Sequence, residues 1–425
     1  HTNVRIDYKV SGIGSGSCGP QLVQAYQMND RDIDFKFSII KNYGGEKMNK
    51  VIEQNREWID GTWDKIDKKM SRIAVKSYDK IPYTTVNGVH DDRGRTEPDW
   101  WTNGFWGGMM WLLYKATGNE QYRKTAEHSE EILSEALKDF KKLHHDVGFM
   151  WHLTSGANYR ITGNGEACNT NLFMASTLMS RFNVDGGYIR AWNGDVIGYS
   201  IIDCLMNIPL LYWASEEIGD PRFKRVAMRQ MDMALKDHIR KDGSVNHIVD
   251  HYPDKVGVKQ VLAGQGYSDT SCWSRGLAWA VYGSILSYIH TGKEEYLDAA
   301  VRTSDYFIGH CRETDYLPLV DFCSPKEPVY YDSTAGVCAA CGMIELAKYV
   351  PDGDKYMSAA IEILKATDKN FCNYGEDEDA LVLMGSERYP NNEEELKVVH
   401  IPIIYGDFFF VEALFKLKGN DFLIW

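Results

Sequence analysis

Tyr114–Ala126 reads YKATGNEQYRKTA, and the same kind of joint returns as ASEEIGDPRFKRVA at Ala214–Ala227, YIHTGKEEYLDAA at Tyr288–Ala300 and YVPDGDKYMSAA at Tyr349–Ala360. In each, a glycine is followed three or four positions later by an aromatic residue, and that residue by an alanine four further on. Glycine suits the left-handed position that closes a helix. The aromatic and the alanine, at i and i+4, share one face of the helix that follows. Each joint therefore predicts one helix ending and another beginning.

The segments before the joints are apolar on all sides: FWGGMMWLLY (105–114), IPLLYWA (208–214) and RGLAWAVYGSILSYI (275–289). Those after them, such as EQYRKTAEHSEEIL (120–133) and PRFKRVAMRQMDMAL (221–235), are amphipathic. A helix apolar all round is buried, and an amphipathic one covers it. Alternating inner and outer helices joined by tight turns predict an all-α toroid of hairpins, an α/α barrel. The joints are unevenly spaced, against a regular solenoid. The long loops between outer and inner helices, rich in Gly, Asp, His and Trp, are expected to line one mouth.

The chain has 425 residues, 44% of them hydrophobic, and a formal net charge of -13. That charge opposes nucleic acid and anionic membrane as partners. No apolar run reaches membrane-spanning length and no secretory leader is visible. Nine dispersed cysteines read as reduced thiols, so a cytoplasmic site and a monomer or homodimer are expected. Cys338 and Cys341, a lone C-x-x-C in an apolar helix, read as core packing. Residues 1–46 differ: alternation at Val4–Val10 and Ile33–Ile39 predicts two strands around SGIGSGSCGP. They are expected to form an N-terminal β extension, with the barrel over 47–425.

Several stretches carry chemistry. EPDWWTNGFWGGMMW (97–111) has four tryptophans in twelve positions. Trp106 and Trp111 suit a helix core, whereas Trp100 and Trp101 precede it in a loop, where indole faces stack on sugar rings. Further loop tryptophans follow at Trp151, Trp192 and Trp273. In LHHDVGF (143–149), His-His-Asp is a metal site, an acid–base site or a turn; the metal reading lacks further ligands at zinc spacing. In GYSIIDCLMNIPLLYW (198–213), Asp203 stands among apolar residues, which would raise its pKa and suit a general acid; the alternative is a helix cap before Pro209. In GQGYSDTSCWSRGLAW (264–279), Arg275 on an apolar helix requires a carboxylate, either a ligand's or an internal one. Trp279 shares its face. YYDSTAG (330–336) reads as a cap. No phosphate loop, nucleophile elbow or dinucleotide fingerprint is present.

In order along the chain, WTNGFWGGMMW, HHDVGF, IRAW, IIDCLMNIPLL and WSRGLAW resemble the unsaturated glucuronyl hydrolases, family 88 of the glycoside hydrolases, from about Met48 to GDFFFVEAL (406–414). The resemblance implies an (α/α)6 barrel without metal or cofactor. It also implies hydration of the C4=C5 vinyl ether of a 4,5-unsaturated uronic acid at the non-reducing end of a lyase-made oligosaccharide. It places the general acid/base at Asp203, a second essential aspartate at Asp146, and substrate contacts at Trp101, His145, Trp192, His247, Gln265, Arg275 and Trp279. Of these, Arg275 and Gln265 would hold the carboxylate. In the segment GSERYPNNEEELKVV (385–399), which would approach the neighbouring sugar, three consecutive glutamates with Lys397 as the nearest cation predict poor acceptance of sulfated substrates. SGIGSGSCGP and the strand after it resemble the C-terminal tail of the small-chain domain of family 2 β-galactosidases. Three rivals are an unsaturated rhamnogalacturonyl hydrolase, an α/α-barrel epimerase using His247 and His400 for proton transfer, and a non-catalytic glycan-binding protein.

Overall fold

Gly118, Gly219 and Gly292 take φ of 70°, 69° and 69°, each closing an inner helix in the left-handed region that glycine enters at no steric cost. The residue after the first two, Asn119 and Asp220, caps the next helix by accepting the backbone N–H two residues on. A further joint of this kind lies at Gly163–Asn164; no aromatic follows it, so the pattern passes over it. Gly353 corrects the expectation at the fourth joint. It is the first residue of the following helix, and it is glycine because a Cβ there would lie 2.1 Å from the carbonyl oxygen of Ala347.

The computed structural model describes residues 46–425; the strands expected within 1–46 lie outside the described residues. After α1 (Glu46–Gln54), twelve helices alternate in position. The outer ones are α2 (Arg56–Lys76), α4 (Glu120–Leu133), α6 (Gly165–Ser180), α8 (Pro221–Asp237), α10 (Glu294–Arg312) and α12 (Gly353–Phe371). The inner ones are α3 (Asn103–Thr117), α5 (Ser155–Thr162), α7 (Pro209–Ile218), α9 (Ser274–Thr291), α11 (Ser333–Leu346) and α13 (Ile404–Leu417). Helix α9 packs on α11, α11 on α13, and α13 on α3, while α3 touches α5 and α7 touches α9. The fold is an (α/α)6 barrel.

Burial follows the two layers. Every residue of α11 and α13 is buried, whereas α8 is buried only along one stripe that includes Phe223, Ala227, Gln230 and Met231. The aromatic–alanine pairs Tyr122/Ala126, Phe223/Ala227, Tyr296/Ala300 and Tyr356/Ala360 are all buried, so they form the seam between outer and inner helices. Cys338 and Cys341 are buried in α11, and the Cys341 thiol faces the carbonyl of Phe409; they pack the core. No helix among the described residues is long and apolar enough to cross a membrane.

Between the layers, loops carry a three-stranded antiparallel sheet, β1 (Tyr199–Ile201), β2 (Ile248–His251) and β3 (Val258–Leu262). Ile201 pairs with Ile248, and one step on the Ile202 N–H donates to the His247 carbonyl at 3.1 Å. That register brings the segment bearing Asp203 beside His247. Beneath it, the ideal Cβ position of Gly283 on α9 lies 2.5 Å from Leu205 Cβ. Gly283→Ala is therefore expected to cost about 2 kcal/mol through overpacking. Gly118→Ala, whose Cβ would meet open space, should cost about 1 kcal/mol through its backbone alone. Urea midpoints that rank the two the other way would contradict this packing.

Candidate active site

The HHDVGF loop is pinned before it turns. The His145 N–H donates to the Ala191 carbonyl at 3.2 Å, and the Arg181 guanidinium donates to the carbonyls of Leu143, Arg190 and Ala191. The loop is thus tied to IRAW, which carries Trp192. Gly148 then opens a π-helical turn, Gly148–His152, a form common at functional sites. Its glycine is required by close approach: a Cβ would lie 2.7 Å from Asn207 Cα, O and Oδ1.

Asn207 makes that approach useful. Its Oδ1 accepts the Phe149 N–H at 2.8 Å, and its Nδ2 donates to Asp146 Oδ1 at 2.9 Å and to the Asp203 carbonyl at 3.2 Å. Asp203 sits in a 3-10 turn, Ile202–Met206, and Pro209 begins α7 with Ile208 at its cap. The alternative reading of Asp203 as a helix cap is therefore wrong.

The two carboxylates have opposite environments. Burial opposes ionisation of Asp146, but the nearby His145 and hydrogen bonds from His144 and His145 overcome this and hold its carboxyl well below the usual range. Both histidines approach the same oxygen, Oδ2, at 3.3 Å. Asp203 is pushed up to about 8, chiefly by burial and then by the charge of Asp146, against a smaller opposing effect of Arg275. Among the described residues its Oδ1 has no hydrogen-bond partner. A protonated and an ionised acid thus lie side by side.

His247 is held neutral, its pKa pushed down to about 3 by burial. The Gln265 N–H can only donate, and it reaches His247 Nδ1 at 2.9 Å. The Ala263 carbonyl, which can only accept, lies 3.2 Å from the same Nδ1, whereas Nε2 has no hydrogen-bond partner among the described residues and lies 3.8 Å from Asp203 Oδ1. His144, His145 and Asp146 have ligand atoms within 4.8 Å of one another. Both histidine nitrogens lie 3.3 Å from Asp146 Oδ2, a spacing that suits hydrogen bonds and equally two neighbouring ligand atoms on a tetrahedral ion.

These groups line a cavity of about 560 Å³, together with Trp101, Trp192, Gln265 and Arg275. Eight of the nine residues singled out in the sequence meet there. Trp279 does not: it is fully buried behind the wall, against Phe149 and Phe409. Trp151 and Trp273 are also buried, so neither offers a free face. Arg275 finds the internal acid: Nη1 pairs with Asp332 at 2.8 Å, and Nη2 donates to the Glu387 carbonyl at 2.7 Å. Asp332 is the cap that YYDSTAG predicts, accepting the Thr334 N–H, and also this ion-pair partner. Gln265 Nε2 donates to the same Glu387 carbonyl. The loop tryptophan Trp100 is on the wall as well, while sequence reasoning missed Tyr83, Glu387, Arg388 and Tyr405 there, and Asn207 behind it. The run Glu393–Glu395 does not line the cavity; its segment supplies Glu387 and Arg388 instead. That removes the basis for expecting poor acceptance of sulfated substrates.

Residues 66–295 match the family described as Glycosyl Hydrolase Family 88. The chain is 34% identical to the unsaturated glucuronyl hydrolase of Bacillus sp. (strain GL1), over 75% of this chain and 86% of that one. It is 30% identical to the unsaturated chondroitin disaccharide hydrolase of Streptococcus pneumoniae, over 92% and 99%. The crystal structure of the Bacillus sp. GL1 enzyme, responsible for the degradation of glycosaminoglycan, superposes with a TM-score of 0.77 at 31% identity, covering 84% of this chain and 97% of that one. A separate 38-residue stretch is 55% identical to a β-galactosidase of Staphylococcus xylosus, which is 9% of this chain and 4% of that enzyme.

The raised carboxyl has a consequence for stability. The fold favours protonated Asp203, so its contribution is complete below the ordinary aspartate range near pH 4 and is lost as pH rises through about 8. Asp203→Asn lacks this titration. Its stability relative to wild type should rise by about 3 kcal/mol or more from pH 5 to pH 9, since a tenfold change in proton affinity is worth about 1.4 kcal/mol. Parallel urea-unfolding curves at the two pH values would show that Asp203 is not raised.

Proposed function

This chain belongs to Glycosyl Hydrolase Family 88, and we propose that Asp203 and Asp146 divide between them the hydration of an unsaturated uronate. The chain is an unsaturated glucuronyl hydrolase, acting on lyase-made oligosaccharides of the glycosaminoglycan type. In this reading protonated Asp203 gives its proton to C4 of the vinyl ether, and positive charge develops at C5, shared with the ring oxygen. Water adds at C5 and returns a proton to the Asp203 carboxylate. The resulting hemiketal opens to the keto acid and releases the remaining sugar.

The observation that carries this assignment is the unpartnered, neutral Asp203 facing the cavity beside an ionised Asp146. The charge of Asp146 is, after burial, the second cause of the raised pKa of Asp203, which favours proton tuning as its duty. Neutral His247 has its Nε2 free of protein hydrogen bonds among the described residues, 3.8 Å from Asp203 Oδ1. The uronate carboxylate would lie near Gln265 and Arg275. Because both already donate to the Glu387 carbonyl, their hold on it is shared with that loop. Trp101 and the half-exposed Trp192 offer faces to the sugar rings.

Other chemistries fit less well. An epimerase needs a histidine base, yet burial pushes His247 down to about 3 and leaves its ring a weak proton acceptor. His400 takes the Tyr331 N–H at 2.8 Å and is absent from the cavity wall. All eight cysteines among the described residues are free thiols, in keeping with a cytoplasmic site.

Hydration removes the alkene conjugated with the carboxylate, so turnover bleaches the near-ultraviolet absorbance of the substrate. Asp203→Asn should abolish bleaching while substrate binding measured by calorimetry persists, as when only a transition-state interaction is lost; near-full activity would refute the assignment. In wild type, kcat/KM should fall as pH rises through about 8, because the acid loses its proton. Asp146→Asn removes a charge that raises Asp203, so the alkaline limb of its residual activity should move to lower pH. An unmoved limb would assign Asp146 to steering the sugar or water instead.

A further inference from the structure

After α13 the chain turns back into the barrel. Asp421 is exposed, Phe422 and Leu423 are half-buried, and Ile424 and Trp425 are 0% and 2% exposed. Arg160 of α5 clamps this segment. Its guanidinium donates to the Leu423 carbonyl at 3.0 Å and to the Ile424 carbonyl at 2.6 Å, and lies 5.5 Å from the Phe422 ring. The Trp425 indole packs on Tyr282 of α9 at 5.8 Å and on Phe408 and Phe409 of α13 at 5.9 and 6.0 Å, parallel to Phe409. Helices α5, α9 and α13 are alternate members of the inner ring, so a segment that meets all three lies in its lumen. Trp425 Nε1–H donates to Glu412 at 3.0 Å. Glu412 also accepts the Tyr282 hydroxyl and lies 3.4 Å from Lys416 Nζ, so the indole's rotation is fixed.

The indole ends against the active-site turn. Phe149 is fully buried and meets Trp425 edge-on at 6.0 Å. Its other ring neighbours are Trp101 of the cavity wall at 5.5 Å, Phe105 at 5.3 Å and Trp279 at 5.3 Å. Helix α3 closes a further side, since a Cβ on Gly104 would lie 2.0 Å from the Phe149 carbonyl oxygen. Trp425 supplies the support from within the lumen. The Phe149 N–H is the group that Asn207 Oδ1 holds at 2.8 Å. A displaced Phe149 therefore displaces the carboxamide that donates to Asp146 and to the Asp203 carbonyl. Neither Phe149 nor Trp425 lines the cavity, so any influence on the reaction passes through these links.

We propose that Trp425 is a positioning residue for the hydration chemistry: from within the lumen it holds Phe149, and through it the Asn207 carboxamide, against the two aspartates, and it keeps the floor beneath them dry. The inference rests on the hydrolase reading above. Close-packed interiors transmit a local void to their neighbours, and an indole removed from beside Phe149 leaves a space into which that ring can drop. Water that follows would solvate the Asp203 carboxylate and favour its ionised form. The groups facing Asp203, namely Asp146, His247, Arg275 and Tyr405, would be unaltered, so a change in its proton affinity reports on the floor.

The test substitutes Trp425 by Ala and by Phe and follows bleaching of an unsaturated chondroitin disaccharide across pH, with the folded fraction of each variant measured by urea titration. In Trp425→Ala, kcat should fall about tenfold or more, the scale of a small misplacement of reacting groups. KM should stay within about twofold, because the groups that would bind the sugar are untouched. The alkaline limb of kcat/KM should move to lower pH. Partial unfolding lowers kcat but cannot move that limb, so the limb separates positioning from mere stability. Trp425→Phe keeps a ring against Phe149 and Phe409 and loses only the bond to Glu412, and it should restore the limb and most of kcat. Should Trp425→Ala not fold, Trp425→Leu replaces it, with a shift of the same sign. An unmoved limb in the folded Ala or Leu variant overturns the assignment, as does an equal shift in Trp425→Phe. Bleaching by wild type beside unmoved limbs leaves the hydrolase reading standing; no bleaching by wild type defeats both.

Discussion

One buried carboxamide holds the site together. Asn207 is fully buried, and its side chain uses every hydrogen-bonding direction it needs: the oxygen on the Phe149 N–H, the nitrogen on Asp146 and on the Asp203 backbone. It therefore ties a loop around residue 146 to a turn around residue 203, segments that no continuous helix or strand connects. The requirement propagates outward. Residue 148 must be glycine for the backbones to meet, and residue 283 must be glycine for α9 to seat Leu205 beneath the turn. An aspartate at 207 would keep the shape but lose the donor and set a third carboxylate against Asp146.

The barrel supplies the rest of the electrostatics. Apolar inner helices make the cavity floor a poor solvent for charge, so an acid there remains protonated unless donors are brought to it. Asp146 receives three, from Asn207, His144 and His145. The Asp203 Oδ1 receives none. The difference between the two acids comes from where donors are placed, and the ionised one then raises the other. Neutral His247 belongs to the same arrangement: a protonated imidazole at Nε2 would favour ionised Asp203 and withdraw the acid.

Much of this was legible in the sequence. The layers follow from apolar-all-round and amphipathic segments, and three of the four joints close as glycine chemistry requires. Asp203 among Ile201, Ile202, Leu205 and Met206 already implied a raised acid. What stayed hidden was depth and long-range pairing. Trp279 does share a helix face with Arg275, but four residues along a helix is about 6 Å of axial travel, which carries it from the cavity wall into the core. Arg275 and Asp332 stand 57 positions apart, so the sequence could demand an acid for the arginine without naming it. The glutamates at 393–395 show charge but not the side of the loop on which it falls, and Arg388, five residues before them, was overshadowed for that reason.

A net charge of -13 looks ill suited to an acidic sugar until distance is considered. At physiological ionic strength, exposed charges are screened beyond about 8 Å. The surface charge therefore acts on the approach of large polyanions more than on a sugar already inside the cavity. Within, the relevant sum is local. Arg275 with Asp332 is close to neutral and contributes oriented donors, protonated Asp203 contributes no charge, and Asp146 is surrounded by its own donors. Arg388 on the wall, which has no ion pair among the described residues, is then a nearer charge to a bound uronate than a glutamate outside the cavity. Pairing, rather than composition, thus decides which charges remain available inside the cavity.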